Sequence, residues 1–263
     1  MSEIQKVSLI NIIKNSFRFL IFEWKLFVIV LGFYIFRYFT NGSYSYTDYD
    51  PTQLFYELVV KDISRNFFYL LFWVGIIPLI ILAVKEYLTK QQRISFKKDM
   101  IIRYFVPLFI FQLIFLVFGF LISFDSTLLM FNSTLMLPEL VIKIFSVFLS
   151  LFGFILGFIL FLAPVVIVLE NKTFIDGTKK SIEIIRNKFK ESVTFYLILV
   201  IVINFLFFIP GNIQFLYIVI TGIVIEIPGF NYLQLILSSG WFIFYNAAIA
   251  GFYLSISEER SPG

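Results

Sequence analysis

The chain has 263 residues, of which 60% are hydrophobic and 14% are charged. Soluble domains are roughly 45–50% apolar and about 25% charged, and a soluble fold of this size cannot bury so much apolar surface. Together with 37 Phe residues and a mean hydropathy of +0.93, this composition predicts a multi-pass membrane protein.

The chain contains neither Cys nor His. Without Cys there are no disulfides, thiol nucleophiles or thiolate metal sites. Without His, the commonest general base is missing, and so are the Ser-His-Asp triad and the zinc sites built on paired His residues. We therefore expect no catalytic residue, no metal site and no cofactor, and interpret the chain as non-enzymatic.

Long apolar runs predict an all-α fold, a polytopic bundle of six transmembrane helices in a single integral membrane domain, residues 1–263. The predicted spans are residues 24–40, 66–84, 104–124, 144–169, 193–210 and 232–255. Residues 212–225 form a further apolar stretch that is short for a span and lies between two Pro-Gly pairs. We expect that stretch to be a re-entrant or interfacial segment.

The basic residues predict the orientation of these spans. If the N-terminus is cytoplasmic, all but four of the 21 Lys and Arg residues lie in cytoplasmic segments. The four exceptions are Arg37, Lys61, Arg65 and Lys143. This asymmetry predicts a protein of the cell membrane with both termini in the cytoplasm.

Two amphipathic helices are predicted at the cytoplasmic surface, over residues 4–21 and 174–190. The second carries five basic residues as candidates for lipid or partner contact: Lys179, Lys180, Arg186, Lys188 and Lys190. Anionic lipid headgroups are the expected partners of these side chains. A cytosolic protein such as an ATPase or another subunit is one alternative, and nucleic-acid phosphates are a less favoured one.

The two amphipathic segments resemble each other. Aligning Ser16 with Ser181 superposes Phe17, Phe19, Leu20, Trp24 and Lys25 on Ile182, Ile184, Ile185, Phe189 and Lys190. Each segment then runs into a predicted span. This pattern indicates a diverged internal repeat, although any basic helix at a membrane boundary has similar features.

The second segment also resembles a known group of proteins. Residues 162–170 (LAPVVIVLE), followed by residues 177–182 (GTKKSI) and Phe189, are similar to poorly characterised six-span families. These include the membrane domain attached to some glycerophosphoryl diester phosphodiesterases, although Gly177 stands where Ala is more usual. The resemblance implies a six-span fold and carries no catalytic residue.

Polar and small residues within the spans suggest two further sites. No ionisable residue occupies the centre of a predicted span, which disfavours a proton-coupled pump. Gln112, Asn204 and Asn246 are the main polar groups at depth, and they are candidates either for helix–helix hydrogen bonds or for a polar groove. A helix-packing seam is predicted from Ser146, Ser150, Gly153 and Gly157 in one span to Ala247 and Gly251 in another.

These features favour a channel-like subunit for transport or translocation that is not proton-coupled. The alternative is a membrane scaffold that binds anionic lipid or a partner enzyme. A further alternative is the pore subunit of an archaeal DNA-import system. A homo-oligomer is compatible with each of these interpretations.

Overall fold

A computed structural model describes residues 9–40, 51–90, 98–130, 139–207 and 230–258. In these residues the chain is all-helical, which confirms the predicted fold class. The described helices are α1 (Leu9–Phe22), α2 (Trp24–Thr40), α3 (Pro51–Lys90), α4 (Lys98–Met130), α5 (Glu139–Leu160), α6 (Ala163–Leu169), α7 (Phe174–Asn187), α8 (Phe189–Phe207) and α9 (Phe230–Glu258).

Three stretches of these helices are long and apolar enough to cross a membrane. They are Phe67–Lys90, Val147–Leu169 and Tyr232–Ser257. The pair α1 and α2, bent by 79° at Glu23, adds a fourth if it is counted as one span. Six spans are therefore not confirmed: the predicted span 104–124 has a shorter described apolar part, Ile101–Ile114, and the segment 212–225 lies outside the described residues.

Two of the predicted segments contain a helix break. The predicted span 144–169 corresponds to the stretch Val147–Leu169, within which α5 ends at Leu160 and α6 starts at Ala163 with Pro164 in its first turn. Pro has no backbone N–H to continue the preceding helix, but it is favoured in a first turn. The interfacial helix 174–190 ends at Asn187, since Lys188 forms a turn and a new helix follows.

The chain divides into two compact units. The first contains Met1–Asp48, Ile80–Ser95 and Lys188–Gly263, and the second contains Tyr49–Leu79 and Phe96–Asn187. In the first unit, α9 packs against α1, α2 and α8. The rings of Phe195 and Phe252 are stacked there with centroids 4.2 Å apart.

The second unit is built around α6, in which residues 163–168 are buried. This short helix packs against α4 and α7. Phe111, Leu160 and Ala163 form a buried cluster, with Phe174 of α7 packed against it. An amphipathic helix is thus part of the packing of each unit: α1 in the first and α7 in the second.

Candidate functional site

The outward faces of α1 and α7 carry the same kinds of side chain at equivalent positions. Under the alignment of Ser16 with Ser181, Ile10 corresponds to Ile175 and Lys14 to Lys179. At the start of the following helices, Trp24-Lys25 corresponds to Phe189-Lys190. All eight of these side chains are exposed. Each helix therefore presents large apolar groups beside cations on its outer side.

The inward faces share a register as well. The buried residues Ile12, Ser16 and Phe19 of α1 correspond to Gly177, Ser181 and Ile184 of α7, which are also buried. The turns that end the two helices, Glu23 and Lys188, are equivalent too. The two segments therefore agree in bounds and in burial, as an internal repeat requires.

The inner face of α7 is closely packed. A Cβ atom added at Gly177 would lie 2.5 Å from Cγ1 of Ile167 in α6, a distance that real side chains do not adopt. The hydroxyl of Ser181, which is fully buried, donates to the carbonyl of Ile159 at 3.2 Å. Ile159 lies in the last turn of α5, where carbonyls lack helical partners. Ser181 therefore attaches α7 to the end of α5.

The start of α7 is held by side-chain hydrogen bonds. Thr173 accepts from the Asp176 N–H at 3.2 Å and donates to the Asp176 carboxylate at 2.8 Å, an arrangement close to a capping box. Asn171 has a φ of 54°, in the left-handed region, which suits the residue after a helix end. Its side-chain oxygen accepts from Nε of Arg103 at 2.6 Å, which connects the α6–α7 turn to α4.

The inner face of α1 is more open. A cavity of about 400 Å³ lies between α1, the last turns of α3 and the end of α9, all within the first unit. Its lining is mainly apolar: Ile12, Phe19, Val84, Leu88, Ala247 and Leu254. Gly251 also lines it, and a Cβ atom added there would meet Ile12 at 3.4 Å and Leu88 at 4.0 Å, which are ordinary contacts.

The five predicted basic residues are distributed over two helices and a turn. Lys179 and Arg186 are exposed on α7, and Lys190 is exposed in the first turn of α8. Lys180 is partly buried and pairs with Glu183 at 3.3 Å. Lys188 lies in the turn between the helices and is partly buried. Three of the five predicted basic residues are therefore exposed, and two are less exposed.

The predicted polar groove stays a prediction. The side-chain amide of Asn246 is buried and donates to the carbonyl of Phe242, one turn earlier in α9, at 2.8 Å. Gln112 is partly buried in the second unit. The side chain of Asn204 lies outside the described residues. Among the described residues, no three Asp or Glu side chains are placed to hold a metal ion.

The predicted packing seam also stays a prediction. Gly153 and Gly157 are partly buried, and the side chains of Ser146 and Ser150 lie outside the described residues. At the other end of the seam, Ala247 and Gly251 line the cavity beside α1.

Two features of the site were not predicted from the sequence. One is the cap at Thr173, for which the Thr-x-x-Asp spacing was an available signal. The other is the cavity, for which no local signal exists, because its walls come from three helices distant in the chain.

No curated protein and no solved structure matches this chain. The sequence profile of one family, described as "Domain of unknown function (DUF7847)", matches residues 58–258. That range begins after α2 and includes the whole of α7. The profile names no phosphodiesterase, so the resemblance to phosphodiesterase membrane domains stays a prediction. The matched range covers well over half of the chain, so the chain belongs to the DUF7847 family.

Proposed function

We propose that the chain is a non-enzymatic, multi-pass protein of the cell membrane that binds and organises anionic lipid at the cytoplasmic surface. The observation that carries this proposal is the outward face shared by α1 and α7. In both, an exposed Ile is followed four residues later by an exposed Lys, and an exposed aromatic-Lys pair begins the next helix.

This combination suits the boundary between headgroups and acyl chains. Ile10 is 75% exposed and Ile175 is 60% exposed. Exposing these side chains to water is unfavourable in free energy, and burying them among the acyl chains at the membrane interface removes that cost. Lys side chains lay their alkyl stems along apolar surface and extend the ammonium group toward phosphates. Trp24 is of a residue type enriched at membrane boundaries, and Trp and Phe are both typical of the apolar face of interfacial helices, as at Trp24 and Phe189.

The charge selects the lipid. Each Lys or Arg near an anionic leaflet gains on the order of 1 kcal/mol, which is about a fivefold change in affinity. Lys14 and Lys25 on one segment, and Lys179 and Lys190 on the other, would each contribute this amount.

Fluorescence quenching tests the proposal on the full chain. The chain has three Trp residues, so changing Trp73→Phe and Trp241→Phe leaves Trp24 as the reporter. In proteoliposomes, brominated phosphatidylglycerol should quench Trp24 more than brominated phosphatidylcholine does. This preference should fall as salt rises, because salt screens exposed charges. A second reporter, Phe189→Trp with Trp24→Phe, reads the other segment.

The matched variants separate charge from packing. Lys14→Gln with Lys25→Gln should remove most of the preference at Trp24, whereas Lys14→Arg with Lys25→Arg should keep it. If both brominated lipids quench Trp24 equally in the protein that keeps Lys14 and Lys25, the proposal is contradicted.

A subunit for transport or translocation is the second candidate, and the stretches long and apolar enough to cross a membrane are compatible with it. Such a subunit would work with a cytosolic ATPase or another protein, or as a homo-oligomer. Dye or ion flux through proteoliposomes containing the chain would support this candidate, whereas lipid preference without flux supports the first. Nothing in the described residues favours nucleic acid over lipid as the anionic partner.

A further inference from the structure

The cavity of the first unit has the size of a small-molecule site. Its volume of about 400 Å³ falls in the range of about 300–1,000 Å³ that is usual for ligand pockets. It lies against the inner face of α1, the helix whose outer face is proposed above to meet the lipid headgroups. Any molecule in the cavity would therefore be next to the membrane surface.

Five polar residues line the cavity, and the hydroxyl groups of three of them donate to carbonyls of the protein; Asn15 and Tyr87 are the other two. Ser16 donates to the Ile12 carbonyl at 2.8 Å, Thr89 to the Lys85 carbonyl at 2.7 Å, and Ser255 to the Phe252 carbonyl at 2.7 Å. Each bond stays within its own helix. The donated hydroxyl groups add little polarity, and the larger part of the lining is apolar, which suits an alkyl chain with polar groups at its edge.

Gly251 leaves room at the α9 wall of the cavity. A Cβ atom added there would make ordinary contacts with Ile12 at 3.4 Å and Leu88 at 4.0 Å. On the inner face of α7, a Cβ atom added at Gly177 would instead lie 2.5 Å from Cγ1 of Ile167. The α9 wall of the cavity is therefore less closely packed than the contact between α7 and α6.

Helical spacing places two exposed basic residues on the faces of α1 and α3 that line the cavity. Arg18 follows the lining residue Asn15 by three positions and is exposed. Lys85 precedes the lining residue Thr89 by one turn and is exposed too. The nearby Glu86 carboxylate pairs with Lys90 at 3.1 Å, so its charge is balanced locally. An anionic headgroup complements this edge.

We propose that the cavity holds one acyl chain of an anionic membrane phospholipid, whose headgroup contacts Arg18 and Lys85. The proposal rests on the proposed function, in that α1 must lie at an anionic membrane surface. It goes further by naming a stoichiometric site for a single lipid, distinct from loose association with many headgroups.

Photo-crosslinking of the full chain tests the site. Phosphatidylglycerol with a diazirine near the end of one acyl chain is incorporated into proteoliposomes and irradiated, and the labelled peptides are mapped by mass spectrometry. Labels should concentrate on residues 12–19, 84–89 and 247–255. Labels confined to the outer faces of the helices would overturn the proposal. Equal labelling of the cavity by phosphatidylcholine that carries the same diazirine would overturn it as well.

Two variants block the cavity in different ways. Gly251→Leu fills it from α9 and should lower the cavity labels at least tenfold, with Gly251→Ala as the control that keeps them. Thr89→Trp narrows it from an exposed position and should lower the same labels if Gly251→Leu fails to fold. Unchanged labelling in both variants would show that the acyl chain does not enter.

Two outcomes distinguish a lipid in the cavity from occupation by the chain's own N-terminal segment and from the proposed function alone. If cavity labels appear only after residues 2–7 are deleted, the occupant is the chain's own N-terminal segment and the lipid proposal is wrong. If Trp24 keeps its preference for brominated phosphatidylglycerol while the cavity is never labelled, the proposed function stands and the site fails.

Discussion

The helices α1 and α7 have similar outer faces and different inner faces. Both present Ile and Lys outward at equivalent positions. On the inner side, α7 is in close contact with α6 through Gly177, whereas α1 leaves a cavity of about 400 Å³ beside Gly251. The same amphipathic pattern therefore occurs in a closely packed helix and in a helix that borders a cavity. The outer face does not reveal which of the two is present.

The largest expected effect comes from the same substitution made at the two glycines. Gly177→Leu places a large side chain where even a Cβ atom meets Ile167 at 2.5 Å, and we expect a loss of about 3 kcal/mol in stability, since overpacking a core costs about 1–3 kcal/mol or more. Gly251→Leu enters the cavity and should cost less than about 1 kcal/mol. Thermal unfolding in detergent measures both, and equal losses would contradict the contrast between the two faces.

The buried serines give a second matched pair. Ser181→Ala removes a bond between α7 and α5 and leaves the Ile159 carbonyl without this donor, so we expect a loss of roughly 1–2 kcal/mol. Ser16→Ala removes only a bond to the preceding turn of its own helix, and its effect should stay within about 0.5 kcal/mol. Chemical unfolding in mixed micelles can compare them. A larger loss at Ser16 would mean that α1 is the more firmly held helix.

A smaller effect is expected at the turn before α7. Asn171→Ala puts a residue with a Cβ and no polar group at a φ of 54°, which costs on the order of 1 kcal/mol. Asn171→Gly accepts that φ and loses only the exposed bond from Arg103, so it should be nearly neutral. If the glycine variant is the less stable of the two by thermal unfolding, the Arg103 bond outweighs the backbone conformation.

The smallest effect on stability is expected for the basic outer face. Lys179 is exposed, whereas Lys180 pairs with Glu183. Lys179→Gln should lower the apparent affinity of the α7 segment for anionic vesicle lipid about fivefold and change stability by less than about 0.5 kcal/mol. Lys180→Gln should change lipid preference less. The Phe189→Trp reporter measures both variants. A stronger effect of Lys180→Gln than of Lys179→Gln would mean that Lys180 makes the lipid contact.

Much of the architecture could be predicted from local patterns. The all-α class follows from composition and from apolar runs, and the two amphipathic helices follow from their periodicity. All five basic residues of residues 174–190 were predicted as contact candidates; Lys179, Arg186 and Lys190 are exposed, whereas Lys180 and Lys188 are partly buried. The helix break at residues 160–163 was not predicted, since hydropathy alone does not register the turn before Pro164, although the run as a whole is long enough to cross a membrane.

The sequence by itself determined that the chain is helical, rich in segments able to cross a membrane, and basic along two amphipathic helices. These properties depend on residues close together in the chain. Only the tertiary structure decided that Gly177 is in close contact with Ile167 while Gly251 borders a cavity. The physical reason is that the space beside a glycine is set by side chains from other helices. For Gly251 these are Ile12 and Leu88, which no local pattern relates to it.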